Sequence, residues 1–253
     1  MSVYPRLLTG IQIRNIASIQ AAFKALHTTY GVPHVVISSL PIGTALQAEL
    51  REAQPFQSMD WNAQPRNNEA YAGERLLCVA SSAAIACTDA DDSHAVSEVA
   101  AVVVPRIEGY FSGVGDLFSA LVLAHFEPSQ GPSTPPNDTQ SKGPTVGSRP
   151  GAPRDATKAM RTALGAALAT TQAILISTHE HCMSLPLDDC PPTDDEEDEA
   201  DPERRVRRMR ARELRIVQSL DVVRAIPDDL VDVVQWDGFW DVHQRSCCVS
   251  LVP

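Results

Sequence analysis

The sequence predicts a layered α/β domain, and three observations carry that prediction. An amphipathic helix leads into a short apolar strand near residue 34, two further apolar runs follow, and a glycine-framed turn then opens into a second apolar helix. The composition agrees, because 253 residues with 43% hydrophobic and 5% aromatic content can bury a sizeable core in one domain or two.

The first helix rests on Ile16, Ile19, Phe23, Leu26 and Tyr30, which recur at helical spacing, with Asn15 placed to cap its start and Gly31 to end it. After Pro33, the run His34-Val35-Val36-Ile37-Ser38-Ser39 is apolar without alternation, as expected of a strand covered on both faces. Arg75 to Ala80 and Ala100 to Pro105 are predicted as further strands, and Gly115 to His125 as a helix. Between Glu127 and Thr157 stand seven prolines and four glycines with no aromatic residue, so burial cannot offset ordering entropy and a disordered insertion is expected. Met160, Leu164, Leu168, Thr171 and Leu175 share one face of a long helix predicted over 156–178, with Gly165 a mild weakness inside it. Ten acidic residues from Asp188 to Glu203 precede six arginines from Arg204 to Arg212; the block has three readings, a partner-docking element, a nuclear address in the arginines, or a solvated polyampholyte loop, and the last is the expectation. Glu213 to Ser219 returns to apolar alternation and is predicted to rejoin the sheet as a strand. Beyond Gln235, the residues Trp236, Phe239 and Trp240 show no period, and no element is assigned there.

Charge and cysteines narrow the function classes. A formal charge of -11 and a pI near 5.0 argue against nucleic acid as a partner, which normally needs a basic face. No uninterrupted apolar run nears the roughly 20 residues of a membrane span, and Met1 to Arg6 lacks a signal-peptide pattern, so no membrane partner and a cytoplasmic location are expected. Cys78, Cys87, Cys182, Cys190, Cys247 and Cys248 form no C-x-x-C pair, and reduced thiols are the expectation. In His179-Glu180-His181-Cys182 the two histidines would point about 200° apart on a helix, poor geometry for one metal ion.

The richest chemistry lies in Phe111-Ser112-Gly113-Val114-Gly115-Asp116-Leu117. Two glycines let backbone amides approach an anion closely, and the unpaired amides of the following helix add positive field. Asp116 then has two readings: a base that takes a proton from an attacking hydroxyl during phosphoryl transfer, or a cap on the helix.

Three separated pieces, Leu7-Leu8-Thr9-Gly10, Gly113-Val114-Gly115-Asp116-Leu117-Phe118 and Glu213-Leu214-Arg215-Ile216-Val217-Gln218-Ser219, together resemble pyridoxal kinase. The G-x-G-D turn is shared across the ribokinase-like superfamily, whereas the E-L-R-x-V-Q-S stretch is narrower. The resemblance implies a ribokinase-like layered sheet flanked by helices, with ATP and magnesium as cofactors. It implies transfer of a phosphoryl group to the 5′-hydroxymethyl of pyridoxal, pyridoxine or pyridoxamine in vitamin B6 salvage. Asp116 matches the family's catalytic base, and Gly113, Val114 and Gly115 with it match the anion hole. Ser38 and Ser39 match the hydroxyl pair that contacts ATP, while Val104, Pro105, Arg106 and Ile107 match the segment that passes the nucleotide. Val114 replaces the usual threonine or alanine, which removes a hydroxyl and keeps the amides. Family members are usually homodimers, so a dimer is also implied.

Upstream the match fails. Aligned on Gly10, the places where the family carries a phosphate-binding asparagine and a metal-organising glutamate hold Met1 and Tyr4, so no metal ligand is assigned. The resemblance therefore covers about Leu7 to Ser219, the carboxyl-terminal half of the family fold. Residues 1–253 are expected to form one partial kinase domain with low-complexity insertions at 127–157 and 186–212. By itself such a chain is expected to be weakly active or inactive. Two alternatives stay open: another vitamin-precursor kinase, such as one acting on hydroxymethylpyrimidine, or a catalytically silent fragment that binds a partner through an exposed sheet edge or the charged insertion.

Overall fold

A computed structural model describes residues 8–61, 71–83, 97–127, 153–225 and 230–241. Its centre is a four-stranded sheet in the order β1 (His34–Pro41), β2 (Tyr71–Ser82), β3 (Glu98–Ile107), β4 (Val234–Gln235). Every neighbouring pair is antiparallel, with His34 opposite Ser82, Ser82 opposite Glu98, and Ala101 opposite Val234. β1 and β3 therefore run the same way, and their carboxyl ends lie at one end of the sheet.

Both faces of this sheet are covered, which is why the strands lack polar alternation. Leu77 and Val79 of β2 and Val99 and Ala101 of β3 point into one core, while Cys78, Ala80, Ala100 and Val102 point into the other. The first core is closed by α1 (Ile16–Thr28) through Ile16, Ile19, Phe23 and Leu26, and by α2 (Thr44–Glu52) through Leu46 and Leu50. Asn15 caps α1 as expected: its side chain accepts from the Ser18 amide at 2.9 Å, and the Ser18 hydroxyl accepts from the Asn15 amide at 3.0 Å. Gly31 turns the chain out of the helix with φ of 64°.

The second core is closed by α3 (Val114–His125) and α4 (Pro153–Ser184). Met160, Leu164, Ala167 and Leu168 of α4 are buried there beside Phe118 and Leu121 of α3. From Ala156 to Ser184, α4 is long and apolar enough by length and composition to cross a membrane. In this fold its apolar face is spent on the sheet.

Three stretches depart from expectation. Glu213 to Ser219 is not a strand: apart from a single parallel bridge between Glu213 and Ser112, it folds back on itself, with Ile216 N–H donating to Leu214 O at 2.8 Å and a 3-10 turn at Val217–Ser219 leading into α7 (Leu220–Arg224). The charged block is not a solvated loop but two short helices, α5 (Asp195–Ala200) and α6 (Pro202–Ala211), locked by a buried ion cluster. The aromatic tail, unassigned from sequence, packs into the first core, where the Trp236 ring meets Phe56 edge-on at 5.2 Å and Phe239 at 4.9 Å. Most of the Pro/Gly-rich stretch, and Cys247 and Cys248, lie outside the described residues.

Candidate functional site

Ser38 and Ser39 sit on β1 where its register against β2 slips: Ile37 faces Val79, yet Leu40 faces Leu77. One extra residue is thus accommodated in a β-bulge. In a regular strand adjacent side chains face opposite sides of the sheet, and the bulge lets both serines border the same cavity. This cavity, of about 330 Å3, lies where β1 and β3 end.

Val104, Pro105, Arg106 and Ile107 bring the end of β3 to the same cavity. Val104 and Ile107 are buried, and the exposed Arg106 is paired with Glu74. Proline is tolerated here because, among the described residues, β4 pairs only with Ala100 and Ala101, so the far side of Pro105 has no ladder bond to lose. The chain then bends through Gly109 at φ of 112°, passes Tyr110 and Phe111 along the wall, and reaches Gly113 at φ of 85°, a left-handed conformation suited to glycine.

Gly113 is the residue that caps α3, and among the described residues no side-chain cap bond is made to the helix start. Asp116 is therefore not a cap. It stands third in the helix, exposed, with no hydrogen bond or ion pair among the described residues. The first intrahelical bond runs from Leu117 N–H to Gly113 O at 3.0 Å, so the amides of Val114, Gly115 and Asp116 have no acceptor within the helix. A Cβ built on Gly115 meets nothing within 4 Å. Protein packing does not require that glycine, and its missing side chain leaves open space beside the free amides. Val114 and Gly115 line the cavity, whereas Gly113 and Asp116 adjoin it without forming its wall.

Two motifs that are far apart in sequence meet at this turn. Ser112 bridges Glu213, and Leu214 is the nearest neighbour to the Cβ position of Gly113, at 3.9 Å. Arg215 N–H donates to Thr178 Oγ1 of α4 at 3.1 Å. The E-L-R-x-V-Q-S segment thus buttresses the turn against α4 from outside the sheet.

Sequence reasoning missed the α4 wall. Leu168, Thr171, Gln172 and Leu175 line the cavity, and Thr171 Oγ1 and Gln172 Nε2 are buried without a hydrogen-bond partner among the described residues. The signal was present as a polar Thr170-Thr171-Gln172 interruption in the otherwise apolar stretch 163–176 of that helix. Beneath this wall, burial pushes the Cys78 thiol up to about 12, which makes it packing and not a nucleophile. Burial, and then the neighbouring Cys190, pushes Cys182 up to about 11. Among the described residues no three His, Cys, Asp or Glu side chains gather to hold a metal ion.

The residues present fit a nucleotide: apolar walls, two unpartnered polar atoms, and a helix amino terminus with room at Gly115. No family model and no curated protein matches the chain. Among solved structures, the fold is similar to pyridoxal kinase from Leishmania donovani in complex with ADP and pyridoxamine, at 19% identity and TM-score 0.49 over 91% of this chain and 48% of that chain. It is also similar to pyridoxal kinase from Trypanosoma brucei, at 20% identity and TM-score 0.46 over 92% of this chain and 50% of that chain. The chain thus spans about half the length of these structures. The likeness is one of outline, and the chemistry is read from the cavity itself.

Proposed function

We propose that the chain carries the nucleotide side and the base of a pyridoxal kinase-type phosphotransferase. One observation supports this most: the bulged Ser38-Ser39, the Val104–Ile107 strand end and the G-V-G-D turn, distant in sequence, converge on one cavity beside a helix amino terminus. The cavity takes the base and sugar of ATP, and the polyphosphate lies towards the amides at the start of α3. Asp116 accepts the proton of the vitamer's 5′-hydroxymethyl as that oxygen attacks the γ-phosphorus. A new P–O bond forms, the bridging P–O bond breaks, and ADP leaves. The amides from Gly113 to Asp116 stabilise the charge on the transferred group. Magnesium, when bound, would neutralise polyphosphate charge, and no residue of this chain is assigned to it.

Ligand binding and turnover test separate parts of this reading. Titration of the purified chain with ADP should give saturable heat, and no binding would sink the nucleotide site. Turnover of pyridoxal and ATP by the chain is expected to be small. Whatever turnover is measured should fall by about 10²–10⁴ in Asp116→Asn, the range lost with a general base, while ADP affinity is unchanged. Turnover that survives the substitution would remove Asp116 from the reaction.

A further inference from the structure

On α4, residues 168, 171, 172 and 175 fall on one helical face, and that face presents a leucine, a threonine, a glutamine and a second leucine to the cavity. Thr171 is 5% exposed, and among the described residues its hydroxyl has no partner and the Gln172 amide nitrogen beside it has none either. Thr162 and Thr178 of α4 donate to the helix backbone, to Lys158 O at 3.2 Å and to Ile174 O at 2.7 Å, whereas the adjacent Thr170 and Thr171 have no partner among the described residues, and of those two only Thr171 lines the cavity. Leaving buried polar atoms unbonded costs stability, so two of them together on a cavity wall call for a ligand that bonds them.

The surroundings narrow the ligand. Leu168 and Leu175 flank the polar pair along the helix, and Val104 and Phe118 border the same space. Such walls suit the flat apolar faces of an aromatic heterocycle, while a hydroxyl and a carboxamide side by side suit its hydrogen-bonding edge. A phosphate would want cations or free amides; the free amides lie at the G-V-G-D turn, and Arg106, which also lines the cavity, is already paired with Glu74.

We propose that Thr171 and Gln172 are the residues that read the base edge of a purine nucleotide bound in this cavity. This rests on the cavity being the nucleotide site and adds which side chains recognise the base. The two ideas fail differently. In calorimetry with ADP as the probe, Thr171→Val and Gln172→Leu should each weaken binding by about 5–10-fold, the loss expected for one hydrogen bond to a neutral group. Thr171→Ser, which keeps the hydroxyl, should bind like the parent protein. Thr170→Val is the control, because Thr170 is equally buried and unpartnered but does not line the cavity. If the parent protein does not bind ADP, the nucleotide reading falls and this proposal with it. If it binds and both wall substitutions stay within about twofold, or Thr170→Val weakens binding as much, only the base-reading role is overturned. Should Thr171→Val fail to fold, as judged by its thermal unfolding, Gln172→Leu tests the same role on its own.

Discussion

Gly165 stands in the interior of α4, where a Cβ would lie 2.7 Å from the carbonyl oxygen of Val231. By helix propensity alone, alanine here would be better by about 1 kcal/mol. The fold needs the opposite, because the backbone of residues 230–233 crosses the helix at this point and Arg161 Nε donates to Val233 O at 2.7 Å. An obstructing atom is backbone and cannot swing aside as a side-chain tip would. Overpacking of this kind typically costs about 1–3 kcal/mol, so it outweighs the propensity gain. Gly165→Ala should therefore lower the urea midpoint, and a midpoint that rises would show that the crossing segment yields freely. Propensity treats the glycine as a weakness because it is a local measure, whereas the reason for the residue comes from a segment far along the chain.

At the scale of elements, the charged hairpin shows what composition hides. The Asp198 carboxylate holds Arg204 at 2.6 Å and also Arg208, all three residues are buried, and Arg204 Nη2 donates to Pro192 O at 2.9 Å. Asp198 lies on α5 and both arginines on α6, so the two helices are clasped by a buried anion between two cations, with the more exposed Glu197 of α5 adding a second pair to Arg204 at 2.7 Å. Removing one partner of a buried ion cluster costs about 3–5 kcal/mol, because uncompensated charge stays in the interior. In Asp198→Asn, amide exchange over 194–211 should accelerate strongly while β1, β2 and β3 stay protected. Unchanged exchange in the hairpin would mean the cluster contributes nothing. Blocks of like charge read as solvated in sequence, since which three of sixteen charges become buried is settled only by folding. The strands at 34–41 and 98–107 were legible for the opposite reason: apolar cover on both faces leaves an apolar run. Glu213 to Ser219 instead carries the alternation of a half-buried strand, yet among the described residues only Glu213 finds a bridge partner, and the rest turns on itself.

At the scale of the molecule, the cavity belongs to no single element. Its walls come from the β1 bulge, the end of β3 with the turn into α3, and the middle of α4. The glycine-framed turn was legible from its spacing, which is a local signal, whereas Ser38, Ser39 and Val104 to Ile107 were assigned only through the resemblance to pyridoxal kinase. Thr171, Gln172, Tyr110 and Phe111 were not legible, since which face of α4 meets the cavity is fixed by how that helix lies across the sheet. A site assembled in this way couples its ligand to the whole fold: separating any wall from the sheet destroys the cavity, so ADP should stabilise against global unfolding and not merely quiet one loop. Ligand present at 100 times its dissociation constant adds about 2.7 kcal/mol. For a domain of this size each kcal/mol moves the midpoint by about 2–4 °C, which places the expected rise in Tm at about 5–10 °C. Asp116→Asn should show the same rise, because its carboxylate adjoins the cavity without lining it, whereas Thr171→Val and Gln172→Leu should show a smaller one. A Tm that stays fixed across the ADP titration would mean that the cavity does not hold the nucleotide.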